Sequence, residues 1–256
     1  MINIYSLIYS FLKGFFLSGS VYIIGNMADY IFSYKSKELL IKEKPEIYKQ
    51  SECYIKKNLL IISPIAYGIM DYSFLQKKIQ FEMIKYCALL LTHNIIYFFI
   101  HREMHRNKSL KHIDNFHHEF DTRIIPSIGL AVTQEEFILA YITPFIVGGA
   151  CLSPSELTFI TSIITISILN MVIHTNELYN ILWIHGVIAP RDHINHHRDK
   201  KDYYRAPLLN RDEIMDSYVV VMQLALLILL IFSYVCFYPP SFFLFLLVFL
   251  NFSSLS

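Results

Sequence analysis

Between residues 101 and 118 the chain reads HREMHRNKSLKHIDNFHH, and at 193–197 it reads HINHH. Imidazoles recurring at these intervals are suited to holding metal ions. An α-helix turns about 100° per residue, so His101 and His105 lie about 40° apart on one face and both rings reach a single ion. His193, His196 and His197, at i, i+3 and i+4, cover about 100° of another helical face. In the middle cluster His112 sits roughly 140° and 120° around a helix from His117 and His118, whereas Asp114, three and four residues upstream, shares their face. The spacing therefore selects Asp114, and a carboxylate is a competent oxygen ligand for iron, manganese or zinc.

The elements that must carry these clusters are membrane helices. Of the 256 residues, 54% are hydrophobic, 15% aromatic and 17% charged, and the apolar residues come in blocks at residues 2–34, 59–75, 79–100, 124–152, 157–173 and 218–252. About 20 helical residues cross about 30 Å of hydrocarbon, and several blocks reach that length. With no basic stretch before it and no small-residue cleavage site after it, the first block reads as a retained anchor. The expected fold is all-α, an integral membrane bundle of four to six helices with a histidine-rich cap. It divides into an N-terminal membrane and basic segment (1–90), a catalytic region (91–217) and a C-terminal membrane segment (218–256).

Lysines and arginines gather in three polar segments, Lys35–Lys57, Arg102–Lys111 and Arg191–Arg211. The positive-inside rule places all three, with the histidine clusters between and within them, on the cytoplasmic side. Residues 59–100 and 124–173 then form two hairpins, the Pro64-containing limb being short and re-entrant, with Lys77 and Lys78 at one tip opposing the rule. Glu135 and Glu136 are read as a far-surface loop or an interfacial break. His93, His112 and His185 are read as hydrogen-bonded interfacial residues. The net charge of +1 and the lack of a nucleic-acid motif exclude nucleic acid as a partner. Cys53, Cys87, Cys151 and Cys236 form no C-x-x-C pair, so neither a disulfide framework nor a zinc knuckle is expected.

The boxes resemble those of the fatty acid hydroxylase superfamily, and within it the sterol desaturase and methylsterol oxidase-like branch. HREMH is similar to that family's H-x-x-x-H, DNFHHEF to its H-x-x-H-H with Asp114 at the first histidine, and PRDHINHH to its last H-x-x-H-H. HTNEL supplies His174 near the expected separate histidine, and DYYRAPLLNRDEIMDS is similar to a downstream segment, with Tyr203 and Asp212 retained and Arg211 replacing a tryptophan. The likeness spans about residues 90–217.

The resemblance implies a non-haem di-iron centre held by His101, His105, Asp114, His117, His118, His174, His193, His196 and His197, with Glu103, Glu119, Glu177 or Asp192 orienting the rings. It also implies hydroxylation or desaturation of a sterol or acyl lipid using dioxygen. Electrons would come from a reduced nicotinamide through a separate cytochrome and reductase, since no nucleotide-binding motif is present, and a eukaryotic chain would reside in the endoplasmic reticulum. The alternative is a catalytically silent relative retained as a metal-binding or scaffolding membrane protein. A metal transporter with a histidine-rich mouth fits less well, because transport sites place polar ligands near the bilayer midplane.

Overall fold

A helix apolar on every side has no aqueous face, so its packing is set by which side is small enough for a neighbour to approach. Helix α1, Ile4–Phe32, follows that rule. Its large residues point outward, Tyr5 at 81% and Phe16 at 71% exposure, while Ser10, Gly14, Ser18, Val21, Gly25 and Asp29 form its buried stripe. At Gly14 an added Cβ would come within 2.9 Å of Tyr67 Cβ and 3.0 Å of Pro64 Cα, so the close approach of the two helices requires glycine there.

The computed structural model describes residues 4–75, 80–181 and 189–199, all within one unit, Met1–Asn210. Among them every regular element is helical. After α1 come α2 (Tyr34–Glu43), α3 (Pro45–Lys57) and α4 (Ser63–Ser73), the last two joined by a π-helical turn, Asn58–Ile62. Helix α5 runs Glu82–Arg106 and α6 Lys111–Asp114, followed by 3-10 turns at His117–Phe120 and Pro126–Leu130. Helices α7 (Gln134–Glu136) and α8 (Thr143–Leu152) are continuous through a second π-helical turn, Phe137–Ile142; α9 is Glu156–Ile173 and α10 Pro190–Asp199. Four of these helices are long and apolar enough to cross a membrane: Ile4–Phe32, Glu82–Arg106, Gln134–Leu152 and Glu156–Ile173.

Two polar clamps mark the ends of the bundle. At one end Lys13 of α1 pairs with Asp71 of α4 and, at 2.6 Å, with Glu156 of α9, whose Oε1 also accepts from Tyr67 Oη at 3.0 Å. At the other, fully buried Asp29 accepts from the Ser127 N–H at 2.8 Å and the Ser127 hydroxyl at 2.6 Å, and pairs with Lys37 at 3.2 Å. Asp29 thereby ties α1 to the segment on which the histidine-bearing end is built.

One predicted span is shorter than its apolar run. Residues 124–132 are not part of a membrane helix; they form a packed turn in which Ile124, Ile125, Ile128, Ala131 and Val132 are all fully buried. Pro126 interrupts helical hydrogen bonding, and Thr133 caps a new helix by accepting from the Glu136 N–H at 3.2 Å. Glu135 and Glu136 therefore begin the span at the Asp29 end, while the tip joining α8 to α9 lies at residues 153–155. Lys77, Lys78, His185, Arg211, Asp212 and the 218–252 block lie outside the described residues.

Candidate metal centre

Antiparallel packing brings the C-terminal ends of α5 and α9 and the N-terminal end of α7 together, and the intervening loops and α10 cover them. Two groups of four imidazoles result. In one, His101, His105, His118 and His196 place their ligand nitrogens within 4.8 Å of one another; in the other, His117, His174, His193 and His197 do the same. Asp114 completes the first group, its Oδ2 lying 3.0 Å from both His105 Nε2 and His118 Nε2, and its Oδ1 3.5 Å from His101 Nε2. The groups adjoin, with the His118 and His197 rings 4.8 Å apart between centroids.

The local helical geometry explains how the boxes divide. Residues at i and i+4 share one group, and the residue at i+3 turns to the other. Asp114 and His118 thus face the first group and His117 the second, whereas His193 and His197 face the second and His196 the first. Each triplet therefore straddles two sites. This differs from the single metal-binding edge expected for His193, His196 and His197.

His174 shows what the convergence can hold. Its Nδ1 lies 2.7 Å from the Asn170 carbonyl oxygen, which can only accept, so Nδ1 carries the proton and Nε2 presents a lone pair. That lone pair faces the Nε2 atoms of His193, His117 and His197 at 2.9, 3.2 and 3.4 Å. Facing ring nitrogens at these distances match the donor set of a soft-to-borderline cation, and the residues fit a metal. The ring is held from behind: the Asn170 side-chain amide donates to the Gly129 carbonyl at 2.6 Å, as does Tyr141 Oη at 3.2 Å. Ring orientation by a neighbouring carbonyl is the usual way a metal-binding histidine is fixed.

Protonation favours the same chemistry. Burial, joined by neighbouring histidine charge, holds His117, His193, His196 and His197 well below the ordinary imidazole value, and burial lowers His174 to about 4. Burial alone would raise the Asp114 carboxyl. The charge of His101 and His118 and hydrogen bonding with His101 and His105 more than offset this, holding it well below the usual carboxylate range. An imidazole depressed on folding takes its proton first in the unfolded chain, so its contribution is complete above 6.5 and is lost as pH falls toward about 4. The metal-free protein is accordingly expected to lose unfolding temperature continuously across that window in calorimetry; a flat profile would contradict the neutral burial of His117, His174, His193, His196 and His197.

Other expected contacts are placed differently. His112 is exposed, in keeping with the choice of Asp114 over it. His93 is not interfacial: it is 1% exposed, stacks with Tyr97, and lies on the α5 face that continues through Tyr97 to His101. Glu103 is exposed and pairs with Arg102, Glu119 is exposed, and Glu177 accepts from the Ser33 and Ser36 hydroxyls, so none of these three is seen to orient a ring. Asp192 is buried in the first turn of α10. Glu136, not counted among the site residues from sequence, is 1% exposed at the start of α7, which Thr133 fastens to the Ile113 carbonyl beside Asp114. Its signal was the T-x-x-E pattern of residues 133–136, which marks a helix start and places that helix end at the cap.

The family model for fatty acid hydroxylase matches residues 86–217, which takes in both histidine groups and Asp114. The chain belongs to the fatty acid hydroxylase family. No curated protein and no solved structure matches it. Membership accords with a membrane oxidoreductase acting on lipid, and in this fatty acid hydroxylase chain Asp114 stands beside the first imidazole group where the resemblance expected a further imidazole.

Proposed function

We propose that this chain is a non-haem di-iron oxygenase that hydroxylates or desaturates a membrane lipid of sterol or acyl type, with its metal end toward the cytoplasm. The carrying observation is the pair of adjoining imidazole groups, one completed by Asp114, at the end of an apolar helical bundle. Asp114 keeps the first group at five donors, which favours a working centre over a silent relative. Two irons held there would supply dioxygen activation and the oxidation of an unactivated C–H bond, chemistry no side-chain acid or base performs.

The chain's own residues offer a small apolar space that would take only a short hydrocarbon portion of the substrate. A cavity of about 60 Å³ lies among α1, α4, α5, α8 and α9, walled by Leu17, Val21, Leu59, Met70, Phe145 and Ile166. Such a wall accepts hydrocarbon and excludes water. Asn170 and Tyr141 also line it, and both bond the Gly129 carbonyl beside His174, so the cavity reaches the cap. Lys37 and Lys44, at the cap end, support a cytoplasmic orientation by the positive-inside rule and a docking face for a separate electron-donor protein.

Expressed in a host and supplied with a reduced cytochrome and its reductase, the purified chain in lipid nanodiscs should consume dioxygen and yield a hydroxylated or unsaturated lipid detectable by mass spectrometry. Iron-loaded protein that produces no oxidised lipid from total membrane extracts would overturn this reading.

A further inference from the structure

Glu136 belongs to the first turn of α7, and its position is fixed from both sides. Thr133 Oγ accepts from the Glu136 N–H at 3.2 Å and donates to the Ile113 carbonyl at 2.9 Å, which fastens the start of α7 to the residue before Asp114. The side chain, 1% exposed, is not used to cap the helix. The Thr133–Ile113 contact sets this buried side chain beside α6, where its carboxyl interacts with that of Asp114, and Glu136 Oε2 has no hydrogen-bond partner among the described residues. Two water-excluded carboxylates remain in contact only when a proton or a cation stands between them. The cation is the better match here, because Asp114 Oδ2 is itself 3.0 Å from two of the imidazole nitrogens that converge on the first group.

We propose that Glu136 is a second carboxylate ligand of the ion held by His101, His105, His118, His196 and Asp114. This rests on the metal-centre reading above and deepens it: the first site is anionic and oxygen-rich, whereas the second has imidazole donors only. Hard oxygen donors favour the more oxidised or harder ion, and imidazoles the softer one, so the two sites bind metals unequally.

The test is iron content of the purified full-length chain after dialysis against a chelator, with wild type, Glu136→Gln and Glu136→Asp compared. Wild type is expected to keep about two irons per chain, Glu136→Gln about one because first-site affinity drops by about 100-fold, and Glu136→Asp an intermediate amount. Glu136→Gln retaining wild-type iron at unchanged affinity overturns this assignment alone; wild type binding no iron overturns it together with the proposed function. Should the glutamine variant not fold, a cryo-electron microscopy map of zinc-loaded wild type decides. A Glu136 oxygen about 2.0–2.2 Å from the first ion supports the assignment, and a carboxyl that contacts Asp114 but not the ion overturns it.

Discussion

Asp114→Ala is expected to empty the first metal site and reduce lipid oxidation to background, whereas Asp114→His should retain the metal. The aspartate oxygen is 3.0 Å from His105 Nε2 and from His118 Nε2, so its removal takes away a donor and leaves buried imidazoles facing one another with less negative charge to hold a dication. Loss of a group that merely orients a ligand already weakens metal binding by about 10- to 100-fold, and loss of a direct donor should equal or exceed the upper figure. A histidine at position 114 keeps the i, i+4 relation with His118 and offers a nitrogen in place of the oxygen. Iron per chain and dioxygen uptake, measured on both variants, check the pair. Full iron content in Asp114→Ala would remove the aspartate from the centre.

Gly129→Ala is expected to damage the second site without touching a ligand. A Cβ at this position would stand 2.8 Å from His174 Nδ1 and 2.9 Å from the Asn170 amide nitrogen, closer than unbonded atoms settle. The histidine ring must shift away from the Asn170 carbonyl that sets its tautomer. Second-site affinity should fall by about 10- to 100-fold, and overpacking should destabilise the chain by about 1–3 kcal/mol. Cobalt titration followed by absorbance resolves the effect as one weakened equivalent beside one unchanged equivalent. Two unaltered equivalents would show that the Gly129–Asn170–His174 contacts do not set the site.

Much of the centre could be read from spacing because helical geometry is local. His101 with His105, and Asp114 in preference to His112, follow from degrees per residue, and the structure buries Asp114 while leaving His112 exposed. The sorting of donors between two sites was not legible in this way. His196 and His197 are adjacent in sequence, and which group each faces depends on where α10 lies relative to α5 and α9, a tertiary fact. Hydropathy likewise misled over residues 124–132, because burial in a protein cap and burial in lipid select the same residue types. Pro126 and the Thr133–Glu136 capping pattern carried the correction locally. Missing that helix start left Glu136 undecided between a far-surface loop and an interfacial break, and with it a buried carboxylate on the helix end beside Asp114. His93 was misjudged for a related reason: its α5 face continues to Tyr97 and His101 and so turns inward, away from the interface.

The most direct measurement is anomalous diffraction at the iron edge from the purified chain. Two peaks are predicted, one enclosed by His101, His105, Asp114, His118 and His196 and the other by His117, His174, His193 and His197. A single peak, or density lying outside both sets of side chains, would contradict the account.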